Sequence, residues 1–122
     1  MIPRQAFLKT INDVAGSVYD FHDRFRIESL DSLSKEDDVY EIMSTRVLLQ
    51  TEEVGELCRA LNKMEVNNIY EEGVDALYIA LGTVLSSGNF GISACEKVVE
   101  KNNGKTLSSH GIGASSGKVI RK

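Results

Sequence analysis

The chain has 122 residues, 42% of them hydrophobic and 26% charged, with a formal net charge of −4; this composition suits one globular domain and is too short for two independent cores. The acidic balance argues against a duplex nucleic-acid groove, which needs a cationic face to screen phosphates, and no apolar run approaches the ~20 residues of a membrane span. The N-terminal residues lack a basic region followed by an apolar stretch and a small-residue cleavage site, so a cytoplasmic location is expected.

Helical periodicity dominates, and the only proline is at position 3; together these predict an all-α fold of four helices. The first helix opens near Pro3 and sets Val14, Val18, Phe21 and Phe25 on one face. A polar connection over residues 26–35 leads to Ser34 and Asp37, which mark the start of a long second helix. There Val47, Val54 and Leu61 interleave with Gln50, Leu57 and Met64 as the expected core stripe. Asn68 and Glu71 have the spacing of a capping box for a third helix that runs to the breaker at residues 86–89. Ser93 and Glu96 repeat that spacing for a fourth, ending near Asn103 and Gly104. Residues 108–122, rich in glycine and serine at their start, are expected to be a flexible tail outside an all-α domain of residues 1–107. Cys58 and Cys95 have neither a CxxC nor a Cys/His spacing and are expected as buried free thiols.

The chemistry concentrates in acidic residues. Glu53 and Glu56 stand three apart on the second helix, about 60° apart around its axis. Arg46 and Leu49 lie seven and four residues before Glu53 on the same stripe. An isolated ExxE is usually a solvated acidic face. The third helix alters that reading: Asp75 is the one charge among residues 73–85, and a helix apolar on all sides is expected to be buried. A buried carboxylate is costly unless paired or bound to a cation. Glu72 shares its face. Two antiparallel helices bearing ExxE and ExxD would bring four carboxylates together, and their repulsion calls for a cation. Oxygen-only ligands suit Mg²⁺, Mn²⁺ or Ca²⁺, and Mg²⁺ commonly joins carboxylates to substrate phosphates. Gly55 and Gly73, inside the two motifs, would permit close approach of a helix or ligand.

These residues resemble the MazG-like all-α nucleoside triphosphate pyrophosphohydrolases, whose signature is EExxE, a spacer and ExxD. Here it reads Glu52, Glu53 and Glu56, then fifteen residues, then Glu72 and Asp75. The resemblance extends to Asn102 and Lys105, spaced by three, to Phe21, His22 and Phe25 in an FHxxF pattern, and to a terminal SGKVI containing Lys118. These outer pieces are similar to short, phage-type and phosphoribosyl-ATP-pyrophosphohydrolase-like members. The chain departs from the pattern at Ser116, where aspartate is usual, and at Val99 and Glu100, where His-Arg is common.

The resemblance implies a four-helix bundle completed by oligomerisation as a homodimer or homotetramer, and hydrolysis of a (deoxy)nucleoside triphosphate to the monophosphate and pyrophosphate. It implies Mg²⁺, with Mn²⁺ as a substitute, on Glu53, Glu56, Glu72 and Asp75, and Glu52 as the residue that orients or deprotonates the attacking water. Asn102, Lys105, Lys118 and Arg46 would hold phosphate oxygens, and Phe21, His22 and Phe25 would shape the base pocket. The competing expectations are phosphoribosyl-ATP hydrolysis, which shares the metal chemistry, and a catalytically silent helical interaction domain.

Overall fold

The computed structural model describes residues 1–122. Its elements are α1 (Arg4–Phe25), α2 (Glu36–Asn62), α3 (Val66–Ser86), α4 (Gly88–Asn103), β1 (His110–Ile112) and β2 (Val119–Arg121). The all-α, four-helix class is as expected, and no single helix is long and apolar enough to cross a membrane.

The helix ends show which local interactions decided them. α2 begins at Glu36 because the Lys35 backbone N–H donates to Asp38 Oδ2 at 2.8 Å, and three acidic residues in its first turn favour the positive helix end. Ser34, expected near the cap, instead accepts from the Asp31 N–H at 2.9 Å and closes the preceding turn. α3 starts two residues before Asn68, whose Nδ2 donates to Glu65 Oε2 at 3.0 Å. α4 starts at Gly88, five residues before the Ser93 signature, because only Ser87 separates it from α3. Gly88 has φ +60°, and a side chain there would strike the Leu30 carbonyl, so glycine meets both demands.

Contacts divide the chain into two compact units, Met1–Gly91 and Ile92–Lys122. In the first, α2 and α3 form an antiparallel hairpin: Arg46 reaches Ile79 and Thr83, Gln50 reaches Ala76, and Glu53 meets Glu72 and Asp75. α1 packs on α3 in the parallel sense, with Ser17 bonded to Tyr78 and His22 against Gly82. A Cβ at position 82 would collide with both Arg46 Nη2 and His22 Nε2, so Gly82 is what lets three helices meet. Gly55 and Gly73 face open space and make no such approach within the unit.

Only Val18, Leu30 and Ala60 are buried among the apolar side chains. The expected core stripe is therefore corrected: Gln50 and Leu57 lie on the partly covered face of α2, whereas Val47, Val54, Leu61 and Met64 are exposed. The face towards α3 runs through residues 46, 50, 53, 57 and 60, one residue and about 100° from the 47–54–61 stripe. α3 is likewise not the fully buried helix its composition suggested, since Val66, Tyr70, Val74 and Asp75 are exposed. Cys58 and Cys95 are free but exposed, not buried.

In the second unit the expected tail is paired. β1 and β2 form an antiparallel hairpin with His110 opposite Arg121 and Ile112 opposite Val119. The Lys122 N–H donates to the Ser109 carbonyl at 3.0 Å, and Lys122 Nζ to the Leu107 carbonyl at 2.6 Å. These bonds tie the hairpin to the turn after α4, so residues 108–122 belong with the end of that helix.

Candidate metal centre

The geometry follows from the register of the α2–α3 hairpin. Glu53 extends from α2, and Glu72 and Asp75, three apart on α3, stack on one helical face opposite it. One carboxylate oxygen from each lies within 4.8 Å of the other two. Glu53 and Glu72 are half-buried and Asp75 is exposed, at a surface cleft rather than in a core. Both ion pairs in the chain, Lys9–Asp13 and Arg59–Glu56, leave these three out.

Electrostatics record the crowding. The Glu53 carboxyl is held above its ordinary pKa, first by loss of solvent and then by the charges of Asp75, Glu72, Glu52 and Glu56. Glu72 is raised as well, by desolvation, Asp75, Glu56 and Glu71, with Arg59 opposing. Converging carboxylates resist joint ionisation, and a cation removes that penalty.

The donor set fits a hard divalent ion. Mg²⁺ with oxygens at about 2.0–2.1 Å spans ligand atoms up to about 4.2 Å apart, and Ca²⁺ spans up to about 5 Å. The 4.8 Å limit lies between the two, so the oxygens would have to draw closer together to hold Mg²⁺ or Mn²⁺.

Glu56 is the member of the expected set that stands apart. Its Oε1 accepts from Arg59 Nη1 at 2.5 Å, a pairing of neighbours three apart on α2, yet its charge still acts on Glu53 and Glu72. Glu52 is exposed beside Glu53.

Arg46 and His22 are placed in the packing. Arg46 is 5% exposed; its Nε donates to Thr83 Oγ1 at 3.2 Å and its Nη2 to the Ile79 carbonyl at 2.8 Å. His22, 8% exposed, shares the space around Gly82. Burial, and secondarily the Arg46 guanidinium, push the His22 pKa down, and burial lowers that of Arg46.

Phe21 and Phe25 have ring centroids 4.7 Å apart, and Phe21 meets Tyr78 edge-on at 6.0 Å. Phe21 and Tyr78 border an open cavity of about 550 Å³ with Asp13, Asp20 and Arg24. Tyr78 was not singled out in the sequence, although its place three residues after Asp75 on the same helix was the signal that could have found it. Asn102, Lys105 and Lys118 lie in the second unit. Asn102 Oδ1 accepts from Lys105 Nζ at 2.9 Å, and Lys118 is exposed between the strands.

No family model, curated protein or solved structure matches the chain. The carboxylate geometry and the spacing of the motifs are the grounds for a functional reading.

Proposed function

We propose that the chain is a Mg²⁺-dependent nucleoside triphosphate pyrophosphohydrolase of the MazG-like kind, with Mn²⁺ as an alternative ion. The observation that carries this reading is the approach of Glu53, Glu72 and Asp75 to within 4.8 Å on two facing helices, at positions that spell EExxE and ExxD.

Glu53, Glu72 and Asp75 would hold the ion, with Glu56, now paired with Arg59, as the further carboxylate of the expected set. When bound, the ion supplies positive charge for phosphate oxygens and lowers the pKa of a coordinated water. Glu52, exposed and offset by about 100° from Glu53 around the helix, orients or deprotonates the water that attacks the α–β phosphoanhydride. The carboxylate oxygen takes that proton, and pyrophosphate leaves with the electron pair of the broken P–O bond. Phe21 and Tyr78 offer ring faces and edges to a base at the cavity they border. The phosphate-holding roles of Asn102, Lys105 and Lys118 rest on the resemblance alone. A second copy of the chain covers the exposed apolar residues of α2 and α3, Val47, Val54 and Leu61 with Val66, Tyr70 and Val74.

The test is pyrophosphate release from a panel of ribo- and deoxyribonucleoside triphosphates and phosphoribosyl-ATP, with Mg²⁺ or with EDTA. Metal-dependent release of pyrophosphate and a monophosphate from one or more triphosphates is expected. Turnover of phosphoribosyl-ATP alone would move the reading to that substrate, and no release from any member would overturn it.

A further inference from the structure

Arg26 stands where glycine is usual. It is the first residue past α1, in the left-handed conformation with φ 52° and ψ 46°, and its N–H and that of Ile27 return to the carbonyls of Asp23 and His22. Such a cap favours glycine, which has no Cβ to crowd the backbone. An arginine there carries its guanidinium off the helical register that would bring it to Asp23, three residues earlier. Neither of the chain's ion pairs includes either residue. Both charges line an open cavity of about 270 Å³ together with Tyr19, His22 and Ser29, and Ile27 and Leu85 give it an apolar side.

The fold makes no use of this polar lining. The hydrogen bonds that close the end of α1 run through the backbone, and the side chains of the five polar residues have no partner within the chain. His22 is the informative member, because it is only 8% exposed and a buried polar group normally finds a partner. Ser86 Oγ is the one fully covered side-chain atom left without a hydrogen bond, so the His22 ring nitrogens keep access to the cavity they line. Burial, and secondarily the Arg46 guanidinium, push the His22 pKa down, and the neutral ring offers one donor and one acceptor. This cavity shares no lining residue with the one bordered by Phe21 and Tyr78. His22, expected from the sequence at the base pocket, faces a different space.

We infer that Asp23, Arg26 and His22 form a binding site for a free α-amino acid with a small apolar side chain. An ammonium and a carboxylate carried on one small molecule match the two separated charges, and Arg26 supplies the planar fork that pairs two carboxylate oxygens. Asp23 takes the ammonium. His22 and the hydroxyls of Tyr19 and Ser29 meet the remaining ammonium protons and carboxylate lone pairs. Ile27, Leu85 and the Tyr19 ring leave apolar surface for the ligand's side chain. Size excludes a nucleotide: the cavity falls below the range of about 300–1,000 Å³ usual for larger ligands. It is about nine times the ~30 Å³ share of a water molecule, which admits alanine, valine or leucine. No carboxylate of α2 or α3 and no residue assigned to phosphates takes part, so this site stands or falls apart from the proposed hydrolase activity.

The experiment is calorimetric titration of the full chain with L-alanine, L-valine and L-leucine, in EDTA and without nucleotide. Saturable binding of at least one is expected, with a Kd of about 1 mM or tighter, together with amide NMR shifts centred on residues 19–30 and Leu85. The N-acetyl derivative of that amino acid, which lacks the ammonium, and its amide, which lacks the carboxylate, should each bind about tenfold or more weakly. Arg26→Gly suits the left-handed position, so it should keep or raise the unfolding temperature while weakening binding by about tenfold or more. Asp23→Asn should weaken binding likewise, with circular dichroism unchanged. Absence of saturable binding by all three amino acids, a derivative that binds as tightly as its parent, wild-type affinity in either variant, or shifts confined to other residues would each overturn the proposal.

Discussion

Two clusters of ionisable groups lie about two turns apart along the α2–α3 hairpin, and they are resolved in opposite ways. In one, Arg46 is buried beside His22, yet its guanidinium donates to Thr83 and to the Ile79 carbonyl, and the histidine is pushed toward its neutral form. In the other, Glu53, Glu72 and Asp75 converge without an ion pair, and two of them are raised in pKa by desolvation and mutual repulsion. The first is satisfied from within the fold. The second is not, and that difference is the ground for proposing it as a binding site.

The sharpest way to break this contrast is to remove a charge from each cluster. Asp75→Asn should lower metal-dependent pyrophosphate release by at least about 100-fold while leaving the fold intact, as read by activity and circular dichroism on the same preparation. Near-full activity would sink the metal site. Arg46→Ala should act on stability: it removes two charge-assisted hydrogen bonds and a buried stem, at a cost of about 2–4 kcal/mol in urea unfolding. A stability loss below about 0.5 kcal/mol would show that the guanidinium is not part of the packing.

His22 gives a smaller, pH-dependent effect. Its folded pKa lies below the unfolded value of about 6.5, so the unfolded chain binds the extra proton first. The stability contribution is complete above about pH 6.5 and is lost as pH falls through the folded pKa, with a slope no steeper than about 1.4 kcal/mol per pH unit. Thermal unfolding between pH 7.5 and 5 should therefore fall more steeply for the wild type than for His22→Gln. Equal slopes would contradict the buried placement. Subtracting the variant is needed because Glu53 and Glu72, with raised pKa values, titrate in the opposite sense. The smallest effect is expected at Glu56, already engaged by Arg59: Glu56→Gln should reduce activity by less than about tenfold, and a loss as large as that of Asp75→Asn would place it fully among the ligands.

Much of this hairpin was legible in the sequence, for specific reasons. The ExxE and ExxD spacings fix which residues share a helical face, and the short connection between α2 and α3 makes the helices antiparallel, so Glu53, Glu72 and Asp75 had to come near one another. The sequence did not reveal which way each helix rotates. Val47, Val54 and Leu61 carry the strongest apolar repeat on α2, yet the hydrogen bonds of Arg46 and Gln50 turn the adjacent face toward α3. On α3, Asp75 is exposed where an apolar helix implied burial. His22 was read as a ligand contact from the FHxxF pattern and Arg46 from its place on the carboxylate stripe; a glycine at position 82 was the inconspicuous residue that let them inside. The terminal hairpin was missed because three-residue strands among glycine and serine give almost no periodic signal, and its register depends on bonds from Lys122 to Leu107 and Ser109 that no local pattern announces.

The central claim is that the crowded carboxylates are a cation site in the protein itself, before any nucleotide arrives. Mn²⁺ titration followed by electron paramagnetic resonance, without nucleotide, tests it most directly. The wild-type chain should bind Mn²⁺ saturably, Mg²⁺ should compete, and both Glu53→Gln and Asp75→Asn should lose the site while keeping their helical circular dichroism. A wild-type chain that leaves Mn²⁺ free in solution, or variants that bind it as the wild type does, would contradict the account.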